Sequence, residues 1–161
     1  NNFSQLSQTS FFKSCLSKGV NYISTEVLEG ETKEQLCERW NKSLQDWKNN
    51  HLHGVIIATM GIGNDGHTAG IFSGEYGVNF DGEDWIVAYS VPKEINEFTE
   101  RITVTNTFLR NEIDEVVVYA VGDRKRDLIK SLNTNQAQAA NEIPASILKE
   151  MRTVVLFTDI V

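Results

Sequence analysis

Residues 54–70 read Gly-Val-Ile-Ile-Ala-Thr-Met-Gly-Ile-Gly-Asn-Asp-Gly-His-Thr-Ala-Gly, and this stretch decides the fold class. Its first part, 54–60, is rich in β-branched residues and does not alternate between apolar and polar positions. That pattern predicts a strand buried on both faces of a sheet. The second part is a glycine-rich loop that starts where the strand ends. In α/β domains, ligands bind just beyond the carboxyl ends of such strands.

Strand and helix patterns alternate along the rest of the chain. Further strands are predicted at 20–24, 85–91, 101–105, 116–121 and 153–158. Helices are predicted at 4–16, from the capping-box sequence 32–35 onward, at 122–132, and as a short turn at 144–148. We therefore expect a single α/β domain over residues 1–161, with a Rossmann-like, mostly parallel sheet flanked by helices. The loops after Met60 and Val121 would then share the ligand-binding edge of the sheet.

Composition restricts the classes of partner. The 161 residues include 15 Lys and Arg against 22 Asp and Glu, a net charge of −7, which disfavours nucleic acid and acidic membranes. A small phosphorylated ligand is still allowed, because it responds to local charge. The most apolar run, 55–60, is far shorter than the ~20 residues of a membrane-spanning helix. Cys15 and Cys37 allow at most one disulfide bond, and we expect free thiols in a reducing, cytoplasmic compartment.

The glycine loop allows a dinucleotide-binding interpretation. Gly61, Gly63 and Gly66 match G-x-G-x-x-G directly after a strand. That motif needs a long helix immediately behind it, with its N-terminus at the pyrophosphate. Gly70 and two further glycines follow within seven residues. Each glycine costs a helix ~1 kcal/mol, so the sequence leaves room for little more than one turn.

Asp65 and His67 suggest acid–base chemistry instead. They flank a glycine at the end of the predicted strand. An imidazole titrates near neutrality and can act as a general base or acid, while a neighbouring carboxylate orients it or binds a polar substrate group. The alternative is an ordinary turn, in which Asp65 caps a backbone amide and His67 only packs.

Several basic and histidine side chains are further candidates. Residues 123–126 read Asp-Arg-Lys-Arg and place three cations in the first turn of a helix, the unfavourable end for positive charge. A phosphate bound by Lys125 would resolve this conflict; the alternative is a solvated cluster offset by nearby acids. Arg101 is either a second anion-binding group or an exposed residue at a strand end. His51 and His53 could form a metal-ligand pair, but a solvated loop is the simpler interpretation, and we expect no metal.

The extended pattern is more specific than any of its parts. Residues 61–69 closely resemble the signature of the 6-phosphogluconolactonases, which share a superfamily with the glucosamine-6-phosphate deaminases. Further segments resemble that family in the same order: 91–93, 101–105, 118–125, 143–146 and 157–159. The sequence departs from the family pattern at Gly70, where serine is usual, and at Ser73, where proline is usual. Both departures concern the shape of the loop.

The resemblance implies hydrolysis of 6-phospho-D-glucono-1,5-lactone to 6-phosphogluconate, in the oxidative pentose phosphate pathway, without a cofactor. His67 would be the general base and acid, with Asp65 as its catalytic partner. The implied substrate-binding residues are Gly61, Gly63, Asn64, Arg101 and Lys125. The implied partner is the small-molecule lactone, and the implied assembly is a monomer or a homodimer.

Two other functions stay open. The deaminases carry a catalytic glutamate a few positions after their histidine, whereas residues 70–73 read Gly-Ile-Phe-Ser and Glu75 is out of register. A non-catalytic sugar-phosphate-binding module would keep the basic groups without turnover. The family's N-terminal glycine-glycine-serine loop and aspartate-glutamate-arginine motif do not occur here. The resemblance thus implies the C-terminal portion of the domain, without its N-terminal strands.

Overall fold

The computed structural model describes residues 2–134 and 139–160. The chain divides into two compact units, Asn1–Leu52 and His53–Val161, and each is described by itself. The expectation of a single domain over the whole chain stays a prediction. No helix in the described ranges combines the length and the apolar character needed to cross a membrane.

The first unit is helical. Its helices are α1 (Asn2–Ser7), α2 (Ser10–Ser17) and α3 (Lys33–Asn50). The single helix predicted over 4–16 is wrong, because α1 ends at Ser7 and a new helix begins at Ser10. The side chain of Thr9 accepts a hydrogen bond from the Phe12 amide and caps the start of α2. The strand predicted at 20–24 is also wrong, since this segment is irregular.

Helix α3 begins where the sequence predicted. Thr32 Oγ1 accepts a hydrogen bond from the Gln35 amide at 3.2 Å, and Gln35 Oε1 accepts one from the Thr32 amide at 2.9 Å. Two of the amides that a helix start leaves without partners are thereby satisfied. The capping box is confirmed.

The second unit contains all the described strands. Its elements are β1 (Ile57–Gly61), β2 (Ile86–Ser90), β3 (Glu100–Val104), α4 (Asn106–Glu112), β4 (Glu115–Tyr119), α5 (Arg126–Leu132) and β5 (Val154–Phe157). Two 3-10 turns, Asp123–Lys125 and Pro144–Lys149, precede α5 and β5 respectively. Apart from 20–24, each predicted strand is present with its ends shifted by a few residues.

The strands form a parallel sheet of order β1-β4-β5 and a separate antiparallel ribbon of β2 and β3. The α/β fold with a parallel sheet and flanking helices is therefore confirmed. Gly61 at the end of β1 lies beside Tyr119 at the end of β4. The loops that follow these two strands consequently leave from the same edge of the sheet, as the sequence predicted.

Burial of β1 differs from the prediction. We expected a strand buried on both faces, but exposed and half-buried residues alternate along it. Ile57, Tyr119 and Phe157 lie on the same face of the sheet, and they are 61%, 64% and 55% exposed. The opposite face holds the fully buried Val116 and Val118. The reason is that the elements of this unit cover one face of the sheet.

Candidate active site

The loop after β1 folds back on itself as a short hairpin. Ile62 pairs with Thr68, and Thr68 pairs with Ile71, both antiparallel. The buried Thr68 donates its hydroxyl to the carbonyl of Gly61 at 2.8 Å, and the amide of Gly63 donates to the carbonyl of His67 at 2.8 Å. Residues 64–67 are thereby held just beyond the end of the strand.

Left-handed backbone conformations make this fold of the loop possible. Gly66 has φ 84° and Gly70 has φ 72°, a region that glycine enters without steric cost. Ala69 between them has φ 49°, which is uncommon for a residue with a side chain. The carbonyl of Gly66 accepts a hydrogen bond from the Ala145 amide at 2.9 Å, so the loop is tied to the 3-10 turn before β5.

Asp65 and His67 form a hydrogen-bonded pair. Asp65 Oδ1 lies 2.6 Å from His67 Nδ1, and the same oxygen accepts a hydrogen bond from the His67 amide at 3.2 Å. Burial raises the pKa of Asp65. The hydrogen bonds with His67 and the charge of the imidazole lower the pKa, and together they outweigh the effect of burial. The net pKa therefore lies below the ordinary value of 3.8. A carboxylate held ionised on Nδ1 favours the tautomer with its proton on that atom and leaves Nε2 as the basic nitrogen.

The pair is accessible to a ligand. The side chain of His67 is 36% exposed and that of Asp65 is 57% exposed. Among the described residues, His67 Nε2 has no hydrogen-bond partner. The arrangement can therefore accept a proton from a bound water or hydroxyl group and return it.

Phe72 links His67 to Arg101. The ring of Phe72 stacks on the imidazole with 4.6 Å between centroids, and the guanidinium carbon of Arg101 lies 5.0 Å from the centre of the same ring. Arg101 is half-buried, and its Nε is buried without a hydrogen-bond partner in the described part of the chain. The structure therefore brings Arg101 close to the histidine loop, with donor capacity to spare.

Two residues that the sequence analysis did not single out hold this loop in place. Tyr89 donates its hydroxyl to the carbonyl of Gly70, and Thr103 donates to the carbonyl of Ala69. Tyr89 pairs with Arg101 across the β2–β3 ribbon, so the three side chains share one face of it. Burial raises the pKa of Tyr89 to about 12. Because alternate residues of a strand lie on one face, the position of Thr103 two residues after Arg101 could have predicted that Thr103 also faces the loop.

The remaining predicted site residues are distributed around the loop. Asn64 and Gly61 are exposed, and Gly63 is half-buried beneath the His67 ring. Lys125 is half-buried at the start of α5, one turn before Leu128, which lies against Gly66. Lys125 belongs to the turn that follows β4, at the sheet edge where the histidine loop also begins, and its side chain makes no hydrogen bond or ion pair with Asp65 or His67.

The histidines outside the loop and the backbone behind the glycines bear on the metal and dinucleotide alternatives. Within the described ranges, no three His, Cys, Asp or Glu side chains group in a way that would hold a metal ion. His51 ends α3, with Nδ1 2.7 Å from the carbonyl of Trp47. Between β1 and β2 the chain forms turns and bridges and no helix. The helix N-terminus that a pyrophosphate needs is therefore missing behind the glycines.

Comparison with solved structures identifies the same fold elsewhere. The 6-phosphogluconolactonase of Thermotoga maritima is 18% identical, with a TM-score of 0.61 over 82% of this chain and 54% of that one. The enzyme of the same name from Trypanosoma brucei is 18% identical, with a TM-score of 0.61 over 84% and 54%. A monomeric glucosamine-6-phosphate deaminase is 18% identical, with a TM-score of 0.55 over 78% and 52%. The chain thus spans about half the length of these proteins.

Two comparisons use the sequence alone. A search of curated proteins finds no match. The family described as glucosamine-6-phosphate isomerases/6-phosphogluconolactonase matches residues 1–157. The match includes the histidine loop, the β2–β3 ribbon and the turn at Lys125, and it agrees with the folds of the solved structures. This chain belongs to the glucosamine-6-phosphate isomerase/6-phosphogluconolactonase family.

Proposed function

We propose that the protein hydrolyses 6-phosphogluconolactone to 6-phosphogluconate, with His67 as general base and acid. The observation that supports this most directly is the 2.6 Å contact between Asp65 Oδ1 and His67 Nδ1, which leaves Nε2 as the basic nitrogen of a side chain that is 36% exposed. General acid–base catalysis by a positioned histidine contributes about 10²- to 10⁴-fold to rate.

In the proposed reaction, His67 Nε2 removes a proton from a water molecule as its oxygen attacks the lactone carbonyl carbon. A new C–O bond forms, and the carbonyl oxygen takes the negative charge. When the carbonyl re-forms, the bond to the ring oxygen breaks and the protonated His67 gives its proton to that oxygen. The water is thus divided between the new carboxyl group and the new hydroxyl group, and His67 returns to its starting state. Asp65 stabilises the imidazolium between the two steps.

Anion recognition is assigned to Arg101 and Lys125. The buried Nε of Arg101 lacks a partner among the described residues, so an incoming phosphate or oxyanion would satisfy it. Lys125 lies toward the same edge of the sheet. Gly61, Gly63 and Asn64 would contact the sugar through backbone and amide groups at the exposed surface of the loop.

The surroundings of His67 favour lactone hydrolysis over deamination. The deaminase reaction would need a second carboxylate shortly after the histidine. Ile71 and Phe72 stand there instead, and both are almost completely buried. Apart from Asp65, no carboxylate in the described part of the chain forms an ion pair or a hydrogen bond with His67.

Replacement of His67 by alanine tests the proposal. We expect His67→Ala to lower kcat by at least about 100-fold, because the proton acceptor is lost. Lactone hydrolysis is followed by coupling to 6-phosphogluconate dehydrogenase, with the spontaneous reaction subtracted. Release of ammonia from glucosamine 6-phosphate is measured in parallel.

The matched control is His53→Ala, which removes an exposed histidine on the N-terminal side of β1. Its kcat should equal that of the wild type. Lactonase activity retained in His67→Ala would refute the assigned role. Ammonia release by the wild type would refute the choice of reaction, and binding of 6-phosphogluconate without any turnover would indicate a binding module.

A further inference from the structure

A cavity in the second unit is not used by the proposed reaction. It has a volume of about 500 Å³ and lies between the segment 71–81, the start of α4 and the residues 140–141. None of Asp65, His67, Arg101 or Lys125 lines it. Phe72 contributes to both places, since its ring lines the cavity and also stacks on His67.

The walls of the cavity are held by contacts of their own. Tyr76 and Phe80 both line it, and both pack against the ring of the buried Tyr89, with centroids 5.4 and 5.3 Å apart. The backbone amide of Asn106 donates a hydrogen bond to the backbone carbonyl of Phe80 at 2.8 Å, which connects α4 to the aromatic wall of the cavity. The cavity is therefore part of the packed structure around Tyr89.

Asn106 supplies an unpaired acceptor. The residue is 3% exposed and lines the cavity, and its Oδ1 has no hydrogen-bond partner among the described residues. Its Nδ2 faces Asp81 Oδ2 at 3.5 Å. A carboxylate only accepts hydrogen bonds, so this orientation of the amide is the one that avoids placing two acceptors together. The group that satisfies Asn106 must therefore bring a donor.

The negative charge of the side chains that line the cavity favours a cationic ligand. Glu75 and Asp81 line the cavity, and the described lining residues include no lysine, arginine or histidine. Asp81 is partly neutralised by Arg110 at 3.0 Å, whereas Glu75 is exposed. Phosphates and carboxylates are repelled by such a site. Aromatic faces and carboxylates together attract an ammonium group.

We propose that this cavity binds a small organic amine, with its ammonium group toward Glu75 and Asn106 Oδ1 and its apolar part against Tyr76 and Phe80. The site differs in charge from the histidine loop and would not take the phosphorylated substrate. It stands independently of the proposed lactonase function.

Three probes of similar size separate charge from shape: 2-phenylethylamine, 2-phenylethanol and 3-phenylpropionate. Binding is measured by calorimetry and by the NMR shift of the Asn106 side-chain amide in the whole chain. We expect the amine to bind about tenfold more tightly than the alcohol and the carboxylate to bind undetectably. Equal binding of amine and carboxylate, or no shift of the Asn106 amide with the amine, would overturn the proposal.

Variants locate the ligand. Asn106→Leu should weaken amine and alcohol alike by about five- to tenfold. Glu75→Gln should weaken the amine alone, whereas Glu94→Gln, an equal charge change at an exposed residue outside the cavity, should not. His67→Ala should leave binding unchanged. If Asn106→Leu fails to fold, the comparison of Glu75→Gln with Glu94→Gln decides, and equal amine binding by those two variants would refute the proposed site.

Discussion

The position of the His67 ring depends on the absence of a side chain at Gly63. A Cβ built on Gly63 would overlap the imidazole and lie 2.5 Å from Asp65 Oδ1. The same atom built on Gly61 would meet nothing within 4 Å. Although both glycines belong to the loop motif, only Gly63 is required for the geometry of the histidine.

We therefore predict that Gly63→Ala displaces His67 and breaks its contact with Asp65, while Gly61→Ala preserves it. The measurement is the ¹⁵N chemical shift of His67 Nδ1, which reports the hydrogen bond to the carboxylate. The Gly63→Ala variant should also lose most lactonase activity. An unchanged Nδ1 shift in Gly63→Ala would show that the ring position does not depend on this glycine.

The Asp65–His67 pair also makes a prediction about pH. Because the pKa of Asp65 in the folded chain is below 3.8, its carboxylate stabilises the fold above that value. This contribution is lost as the pH falls through the lowered pKa. Titration of the Asp65 carboxyl carbon by NMR should show a midpoint below 3.8 in the wild type. In His67→Leu the midpoint should rise, since burial remains and the imidazole is gone; identical midpoints would contradict this account.

Among the secondary-structure elements, β4 is the centre of the parallel sheet, and its two faces differ. Val116 and Val118 are fully buried on one face, while Tyr119 on the other is 64% exposed. A continuous β-branched run does not distinguish these faces, because every position is equally apolar. The expectation that β1 is buried on both faces failed for the same reason.

Two valines test the difference between the faces. Val118→Ala should lower the free energy of unfolding by about 2 to 3 kcal/mol, because it removes two buried carbons and leaves a cavity. Val155→Ala in β5, where the side chain is 37% exposed, should lower it by less than about 1 kcal/mol. Urea unfolding followed by circular dichroism measures both. Equal losses would mean that both faces are covered to the same extent in solution.

Local signals explain which element boundaries were predictable. The capping box at Thr32 and Gln35 satisfies backbone amides within four residues, so the start of α3 needed no tertiary information. The break between α1 and α2 is also local, but Thr9 there resembles any polar residue on an amphipathic helix. The segment 20–24 contains three residues that favour strands, but it has no strand partner in the described structure, and propensity without pairing does not make a strand.

For the chain as a whole, net charge and local charge point in opposite directions. The total of −7 would repel an anionic substrate, yet Arg101 contacts Phe72 beside His67, and the turn that carries Lys125 leaves the sheet at the same edge as the histidine loop. Binding of a phosphorylated sugar would therefore depend on a few cations close to the site, since charges farther than about 10 Å are screened by salt.

Two lysines of the same segment separate these effects. Lys125→Ala and Lys130→Ala each change the net charge from −7 to −8. If Lys125 holds the phosphate, its loss should raise the KM for the lactone about tenfold with little change in kcat. Loss of the exposed Lys130 should leave KM unchanged. Equal effects of the two variants would indicate that only the overall field matters.

The strands from β1 onward, the start of α3, the glycine loop and the candidate pair Asp65 and His67 could be read from the amino-acid sequence, whereas the helix α4 was not predicted. Each depends on local spacing: β-branched runs, a capping box, and glycines where the backbone needs positive φ. The contacts that position the pair could not be read in this way. Three features join distant segments: Phe72 between His67 and Arg101, the hydroxyls of Tyr89 and Thr103 on the loop carbonyls, and the contacts of Asn106 at the cavity. They exist because packing brings together residues that local spacing does not relate.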